Sequence, residues 1–175
     1  YEPLGALRDF IQNHLVQLLA ITTMDLPKNL NSEELHLQKE KALELVQEVD
    51  TEPAKNNAIR GQYEGYRNTV NNQDSTTETY ANITAYSNSP RWQNVPINLW
   101  TGKALSTKKY EIVVSFKNES GDQKAKLIYR IQPDEAIIFE IVNGDSSAFS
   151  AVSQAVNSLQ NRLKQARNTP QNAYE

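Results

Sequence analysis

The spacing of apolar side chains divides the chain into a helical first part and a strand-rich second part. Between residues 6 and 24, apolar residues recur at steps of three and four, which is the period of an amphipathic helix. Pro27 follows after Asp25 and Leu26 and is expected to end that helix. The apolar stripe consists of Leu7, Ile11, Leu15, Leu18 and Leu19.

A second amphipathic helix is predicted within NLNSEELHLQKEKALELVQEV, residues 29–49. Asn31 and Ser32 are alternative N-caps, since either side chain can accept a hydrogen bond from a first-turn N–H. His36 falls on the charged side of this helix and is expected in solvent. Residues 51–75 are polar and contain two glycines, a composition that predicts a long connection.

Beyond residue 75 the period changes to two, which is typical of β-strands. Because no helix intervenes, the strands are expected to pair as an antiparallel meander. A further apolar stripe predicts a final helix over residues 146–168, which Pro170 would end. The strand candidates are STTETYANITAY, VPINLW, YEIVVSF, AKLIYRIQ and EAIIFEIV.

Together these elements predict one α+β domain over residues 1–175, with helices packed on a mostly antiparallel β-sheet meander. Its helical part spans residues 6–50, its sheet residues 75–142 and its last helix residues 146–168.

Composition and charge exclude several classes of function. The net charge is −3 without a dense basic tract, which argues against a nucleic-acid surface. The chain contains no cysteine, so disulfides and thiolate metal sites are excluded, and no metal site is predicted. No stretch approaches the roughly 20 apolar residues of a membrane span. Without a Gly-x-Gly-x-x-Gly motif or a βαβ pattern, no Rossmann-type dinucleotide site is expected in this chain.

His14 is the most conspicuous titratable residue, because it interrupts the apolar run of the first helix. It lies near the apolar stripe, so it is either a buried histidine with satisfied ring nitrogens or a general base at a cleft floor. Asp9 precedes it by five residues, about 140° around an α-helix. Asp9 could contact a ligand, or it could simply stabilise the helix dipole from the first turn.

Two further motifs place basic side chains near strand ends. In TGK, residues 101–103, a glycine precedes Lys103, and Lys108 and Lys109 follow shortly after. Lysines at such positions can bind phosphate, although an ordinary hairpin with solvated lysines gives the same pattern. In YRIQP, residues 129–133, alternation puts Arg130 and Gln132 on one face. Arg130 would need a carboxylate or phosphate partner, or would form a surface pair.

These motifs occur together and in order, and the combination resembles the C-terminal, substrate-binding domain of the glucose-6-phosphate dehydrogenase family. The resemblance covers residues 1 to about 141. It is carried by RDFIQNHL, EKALELVQEV, RGQY, STTETYANITAY, RWQNVPINLWTGKAL and YRIQPDEAI.

The resemblance implies an oxidoreductase that converts glucose 6-phosphate to 6-phosphogluconolactone with NADP in the pentose phosphate pathway. His14 matches the family's general base, which takes the proton from the C1 hydroxyl of the sugar. The substrate-binding positions of the family fall on Asp9, Lys103, Lys108 and Gln132.

The departures from the family are as informative. The family's N-terminal Rossmann domain, which holds NADP, and its HYLGKE segment have no counterpart in these residues. The isolated chain is therefore expected to be inactive and to contribute only the sugar side of the site, and a choice between NADP and NAD would be made in the missing domain. Of the basic residues at the second, structural NADP site of some relatives, Lys109 and Arg130 remain, so no cofactor is expected in this chain.

The resemblance further implies a cytoplasmic protein that forms a homo-oligomer, a dimer in the family, through its sheet. Two other interpretations stay open. The chain could be a reduced module that binds a sugar phosphate without chemistry, or an assembly subunit that pairs through its sheet with a full-length enzyme.

Overall fold

The computed structural model describes residues 2–48, 57–117 and 120–141, which divide into two compact units between Ser106 and Thr107. The first unit contains helix α1, which is π-helical over Leu7–Leu15 and α-helical over Val16–Thr23, helix α2 (Ser32–Glu44), strand β1 (Ala58–Gly61), the short helix α3 (Tyr66–Thr69), and strands β2 (Tyr80–Ala85) and β3 (Ile97–Gly102). The second contains strands β4 (Tyr110–Lys117), β5 (Gln123–Gln132) and β6 (Ala136–Ile141).

Helix α1 confirms the predicted first helix, but its first nine residues adopt an unexpected hydrogen-bond pattern. The segment Leu7–Leu15 is π-helical, and the Val16 N–H at its end donates to the carbonyl of Ile11, five residues back. The chain leaves the helix at Met24, which is extended at ψ 157°. The helix therefore ends before Pro27, as the sequence predicted.

Helix α2 resolves the choice of N-cap in favour of Asn31. The Asn31 Oδ1 accepts the backbone N–H of Glu34 at 2.8 Å. Glu33 and Glu34 lie in the first turn, where negative charge interacts favourably with the helix dipole. The helix ends at Glu44, earlier than the apolar pattern suggested, and the exposed His36 confirms its predicted placement in solvent.

The first sheet has the order β1-β2-β3, with both pairs antiparallel. Strand β1 and helix α3 lie where the sequence predicted a long connection, so that prediction was wrong for residues 58–61 and 66–69. Strand β1 has only four residues and no buried one, so its own sequence carries no alternation. It forms because its backbone pairs with β2.

Helix α1 packs on one face of the first sheet. Ala6 and Ile11 from the helix meet Ala81 from β2 in a buried cluster, and the two alanines leave room for close approach of the backbones. Partly buried apolar residues surround this cluster: Leu7, Leu15, Ile83 and Leu99.

The second sheet has the order β4-β5-β6 and is also antiparallel throughout. All five predicted strands are present, and the α+β class with antiparallel sheets is confirmed. The strands fall into two three-stranded sheets instead of the expected continuous meander, since the described residues contain no ladder between β3 and β4. The predicted helix over residues 146–168 lies outside the described residues, and the predicted domain limits stay a prediction.

The two faces of the second sheet differ in polarity, because residues paired across strands share a face. One face carries the ion pair of Glu111 and Arg130 and the charged residues Lys126 and Glu140. The opposite face, called the apolar face here, is formed by Ile112, Val114, Phe116, Ala125, Leu127, Tyr129, Ile137, Phe139 and Ile141.

A search of the described helices for a stretch long and apolar enough to cross a membrane finds none.

Candidate functional site

The π-helical segment at the start of α1 carries both Asp9 and His14. In a π-helix each hydrogen bond joins residues five apart, so positions i and i+5 lie nearer to one side than in an α-helix. The α-helical estimate of about 140° between these two residues was therefore wrong. π-Helical turns are rare and occur frequently at functional sites, which supports this segment as the candidate site.

His14 is exposed to solvent. Its ring packs against Phe10 with the centroids 5.6 Å apart and the planes tilted by 54°. The interpretation of His14 as a buried core histidine was therefore wrong, because the π-helical register turns its ring out of the apolar stripe. An exposed imidazole on a packed helix is accessible to a ligand.

Asp9 is half-buried and lies in the first turn of α1. A carboxylate at this position interacts favourably with the helix dipole, and its partial exposure also leaves it accessible to a ligand. Both interpretations of Asp9 from the sequence are compatible with this placement.

The start of α1 is held by Glu78, which precedes β2 by two residues. The Ala6 N–H donates to the Glu78 carbonyl at 3.0 Å, and the Leu7 N–H donates to Glu78 Oε1 at 2.9 Å. Gly5 adopts φ +71°, and a Cβ added there would lie 2.4 Å from Glu78 Oε1. The left-handed backbone at position 5 favours glycine, and a side chain there would displace the Glu78 carboxylate from its hydrogen bond to Leu7. The sequence analysis missed Glu78, because nothing local to the strand pattern marks a helix cap 71 residues away.

Lys103 belongs to the same unit and follows the end of β3. Its backbone N–H donates to the carbonyl of Thr79 at 2.8 Å, directly beside Glu78, and its side chain is exposed. A Cβ on Gly102 would lie 2.9 Å from Tyr80 Cδ2, so close packing explains the glycine of TGK. The left-handed residue of this turn is Ala104, at φ +56°.

Lys108 and Gln132 belong to the second unit and lie at the same end of its sheet. Gln132 ends β5 and pairs with Tyr110, which follows Lys108 by two residues. The side chains of Lys108 and Gln132 are exposed. Arg130 Nε donates to Glu111 Oε1 at 2.7 Å, with the two side chains 27% and 17% exposed. Arg130 therefore has the carboxylate partner that the sequence analysis considered.

Among the surface clefts of the described part of the first unit are two that Asp9, His14 and Lys103 do not line. A cleft of about 300 Å³ at the start of α1 is lined by Pro3, Leu4, Leu7, Arg8, Arg60, Thr76, Thr77 and Glu78. A cleft of about 420 Å³ is lined by Gln17, His36, Lys39, Glu40, Leu43 and Glu44. Across residues 2–48, 57–117 and 120–141, no three histidine or carboxylate side chains are grouped so that they could hold a metal ion.

These observations define an α+β chain with a half-buried aspartate and an exposed histidine on a packed helix, and with lysines at strand ends. Both described sheets are antiparallel throughout, so the described part of the chain offers no βαβ crevice that would fit a dinucleotide in the Rossmann manner.

Comparison with known families identifies this domain. The family model described as glucose-6-phosphate dehydrogenase, C-terminal domain, matches residues 1–175. The chain belongs to this family.

Curated relatives are named glucose-6-phosphate 1-dehydrogenase. The protein of Borreliella burgdorferi is 37% identical in an alignment 156 positions long, and the match covers 78% of this chain and 33% of the relative. The protein of Mycolicibacterium smegmatis is 35% identical in an alignment 179 positions long, gaps included, and the match covers 90% of this chain and 36% of the relative. The chain therefore spans about a third of the length of the relatives that it matches.

Solved structures show the same fold. Glucose-6-phosphate 1-dehydrogenase from Mycobacterium avium superposes with a TM-score of 0.71 at 32% identity, covering 83% of this chain and 34% of that one. A glucose-6-phosphate dehydrogenase in complex with its substrate glucose-6-phosphate superposes with a TM-score of 0.67 at 32% identity, covering 79% of this chain and 31% of that one.

Proposed function

We propose that the chain is the sugar-binding part of an oxidoreductase that converts glucose 6-phosphate to 6-phosphogluconolactone with NADP, in the pentose phosphate pathway. The observation that carries the proposal is the family match over the whole chain. Asp9 and His14 lie on one π-helical segment of a packed helix, where Asp9 is half-buried and His14 is exposed. The similar structure that contains glucose 6-phosphate supports the choice of substrate.

In this proposal His14 is the general base. A neutral imidazole is suited to accept the proton of the C1 hydroxyl near neutral pH, while the C1 hydride leaves for the nicotinamide. The exposure of His14 supports the role, because a base must reach the proton that it removes. Its place on a helix packed against a sheet supports it further, since a rigid element holds a catalytic group in position.

The substrate-binding residues are proposed to be Asp9, Lys103, Lys108 and Gln132. Asp9 would accept hydrogen bonds from sugar hydroxyls, and the lysine ammonium groups would pair with the phosphate as point charges. Lys103, Lys108 and Gln132 are exposed at the ends of strands, which supports binding roles because each can reach a ligand without rearrangement of a sheet.

NADP binding is assigned by the proposal to a Rossmann domain outside these 175 residues. Two observations support the assignment. The described sheets are antiparallel, and the chain spans about a third of its relatives. The isolated chain is accordingly proposed to be inactive, because within residues 2–48, 57–117 and 120–141 no Rossmann-type site would position a hydride acceptor next to the sugar. NADP supplies the hydride acceptor when bound.

A homo-oligomer formed through the second sheet is also proposed. The apolar face supports it, because it carries nine apolar or aromatic residues, of which Ile137 at one corner is 72% exposed and Phe116 at the opposite corner is 45% exposed. An extended apolar face that is partly exposed is typical of a contact surface. A cytoplasmic location is proposed as well, supported by the names of relatives from Arabidopsis thaliana that include the word cytoplasmic.

The decisive test of the proposed function is His14→Asn in the full-length protein encoded by the gene. Turnover of glucose 6-phosphate is expected to fall by roughly two to four orders of magnitude, because the base is lost. The dissociation constant for glucose 6-phosphate, measured by calorimetry, should change little. His36→Asn is the matched control, since His36 is exposed on α2 and has no proposed role. Full activity of His14→Asn would contradict the assignment.

A further inference from the structure

We infer that Glu78 is a positioning residue for the site, acting through the π-helical segment that carries Asp9 and His14. The inference rests on the proposed function. Glu78 touches neither the sugar nor the reacting atoms in this scheme. It fixes where the first turn of α1 begins, and thereby where Asp9 and His14 lie.

Glu78 makes two hydrogen bonds to the start of α1. A helix leaves its first N–H groups without intrahelical partners. Glu78 satisfies two of them, with its carbonyl oxygen accepting from Ala6 at 3.0 Å and its Oε1 accepting from Leu7 at 2.9 Å. No side chain within the helix N-terminus replaces this cap, since the residue at the N-cap is Ala6. The cap is therefore supplied by the segment that leads into β2.

The position of Glu78 is fixed by hydrogen bonds to its neighbour Thr79. Gly61 accepts the Thr79 N–H at 2.8 Å, the fully buried Thr79 hydroxyl accepts the Tyr63 N–H at 2.9 Å, and the Thr79 carbonyl accepts the Lys103 N–H at 2.8 Å. The residue next to Glu78 is thus held from three sides. Because Thr79 is fixed, its neighbour Glu78 is fixed as well, and so is the start of α1 that Glu78 caps.

Asp9 and His14 lie close along the chain to the residues that Glu78 caps. Asp9 follows the anchored Leu7 by two residues, and His14 lies one π-helical turn beyond Asp9. A shift of the first turn would move Asp9 and His14 together, because both belong to the same π-helical segment Leu7–Leu15. The Lys103 N–H donates to the Thr79 carbonyl, next to Glu78. The contacts of Glu78 and Thr79 therefore also fix the position of α1 relative to the TGK turn.

The test compares Glu78→Ala with Glu78→Gln in the full-length protein. Glu78→Ala removes the Oε1 acceptor and is expected to raise KM for glucose 6-phosphate about tenfold and to lower kcat per folded molecule. Glu78→Gln keeps a side-chain oxygen acceptor and should restore most of both. Glu64→Ala, which removes one exposed carboxylate from the same unit, should leave both parameters unchanged. A loss of folded protein alone would lower apparent kcat without moving KM.

Hydrogen exchange supplies a readout that does not depend on activity. In Glu78→Ala, peptides covering residues 6–15 are expected to exchange faster, while those covering α2 are unchanged. Unchanged exchange over residues 6–15 together with unchanged KM overturns the inference. A wild-type protein that does not oxidise glucose 6-phosphate overturns the proposed function instead, and the exchange result would still show whether Glu78 holds the helix.

Gly5→Ala is the second variant, in case Glu78→Ala does not fold. Its methyl group would displace the Glu78 carboxylate and should reproduce the rise in KM. Part of its cost in stability comes from the left-handed backbone at position 5. In the Glu78→Ala background the added methyl group meets no carboxylate, so the two effects on KM should be less than additive. Full additivity would contradict a shared mechanism.

Discussion

At the scale of single residues, the site depends on contacts that tie the start of the chain to distant segments. Glu2 is one example. Its carboxylate accepts hydrogen bonds from the Tyr66 hydroxyl and from Asn72 Nδ2, and its carbonyl accepts from Thr77 Oγ1 at 2.8 Å. These bonds hold Glu2, five residues before the π-helical segment, against Tyr66, Asn72 and Thr77.

The Tyr66 hydroxyl is the largest cause that holds the pKa of Glu2 below its ordinary value, with further hydrogen bonds adding to it. A carboxyl group with a lowered pKa in the folded state stabilises the fold above its unfolded pKa. That contribution is lost as the pH falls through the lowered folded value. The hydrogen bonds of the Glu2 carboxylate to Tyr66 and Asn72 are therefore expected to weaken in acid.

Tyr66→Phe should raise the pKa of Glu2 toward its ordinary value, because the largest stabilisation of the charged form is removed. The measurement is an NMR titration of the Glu2 side-chain carboxyl carbon. Tyr63→Phe is the control, since the Tyr63 ring packs against Tyr66 at 5.3 Å without donating to Glu2. A Glu2 pKa that stays low in Tyr66→Phe would show that the hydroxyl is not the cause.

At the scale of elements, the helices begin in two different ways. Helix α2 is capped from within its own sequence by Asn31, whereas α1 is capped by Glu78 from the segment that leads into β2. The local cap can be found from the sequence. The long-range cap makes the start of α1 conditional on the first sheet being formed, which suits a segment whose position must be fixed relative to a site.

Asn31→Ala is expected to lower the free energy of unfolding by about 1 kcal/mol, because the Glu34 N–H loses its side-chain acceptor. Urea unfolding of the full-length protein, or of the isolated chain if it folds, measures the change. Ser32→Ala is the matched control and should shift the free energy by less than about 0.5 kcal/mol. Equal losses in both variants would mean that the cap is shared between the two side chains.

At the scale of the whole molecule, the second sheet presents one charged and one apolar face. On the charged face, Arg130 and Glu111 neutralise each other in an ion pair across neighbouring strands. The apolar face exposes most of the Ile137 side chain. An apolar surface of this kind favours contact with another protein surface, which supports the proposed oligomer.

Ile137→Lys is expected to weaken self-association, because a charged side chain would have to be desolvated at the contact. Sedimentation of the full-length protein over a range of concentrations measures it. Val113→Lys is the matched control: Val113 is 50% exposed and lies on the opposite, charged face of the same sheet. If both variants associate as the wild type does, the apolar face is not the contact.

The sequence by itself was sufficient for the elements whose signals are local. The helix and strand periods located α1, α2 and five strands, since periods of 3.6 and 2 are properties of contiguous residues. It was also sufficient for the resemblance that named Asp9, His14, Lys103, Lys108 and Gln132, whose roles stay predictions.

Only the tertiary structure decided the rest. Strand β1 has no alternation of its own and exists through its pairing with β2. The π-helical register that turns His14 into solvent cannot be read from a pattern that an α-helix fits equally well. Glu78 caps α1 across 71 residues of sequence. Each of these depends on contacts between segments distant in the chain, and such contacts leave no periodic trace in the sequence because they are set by packing after the local elements have formed.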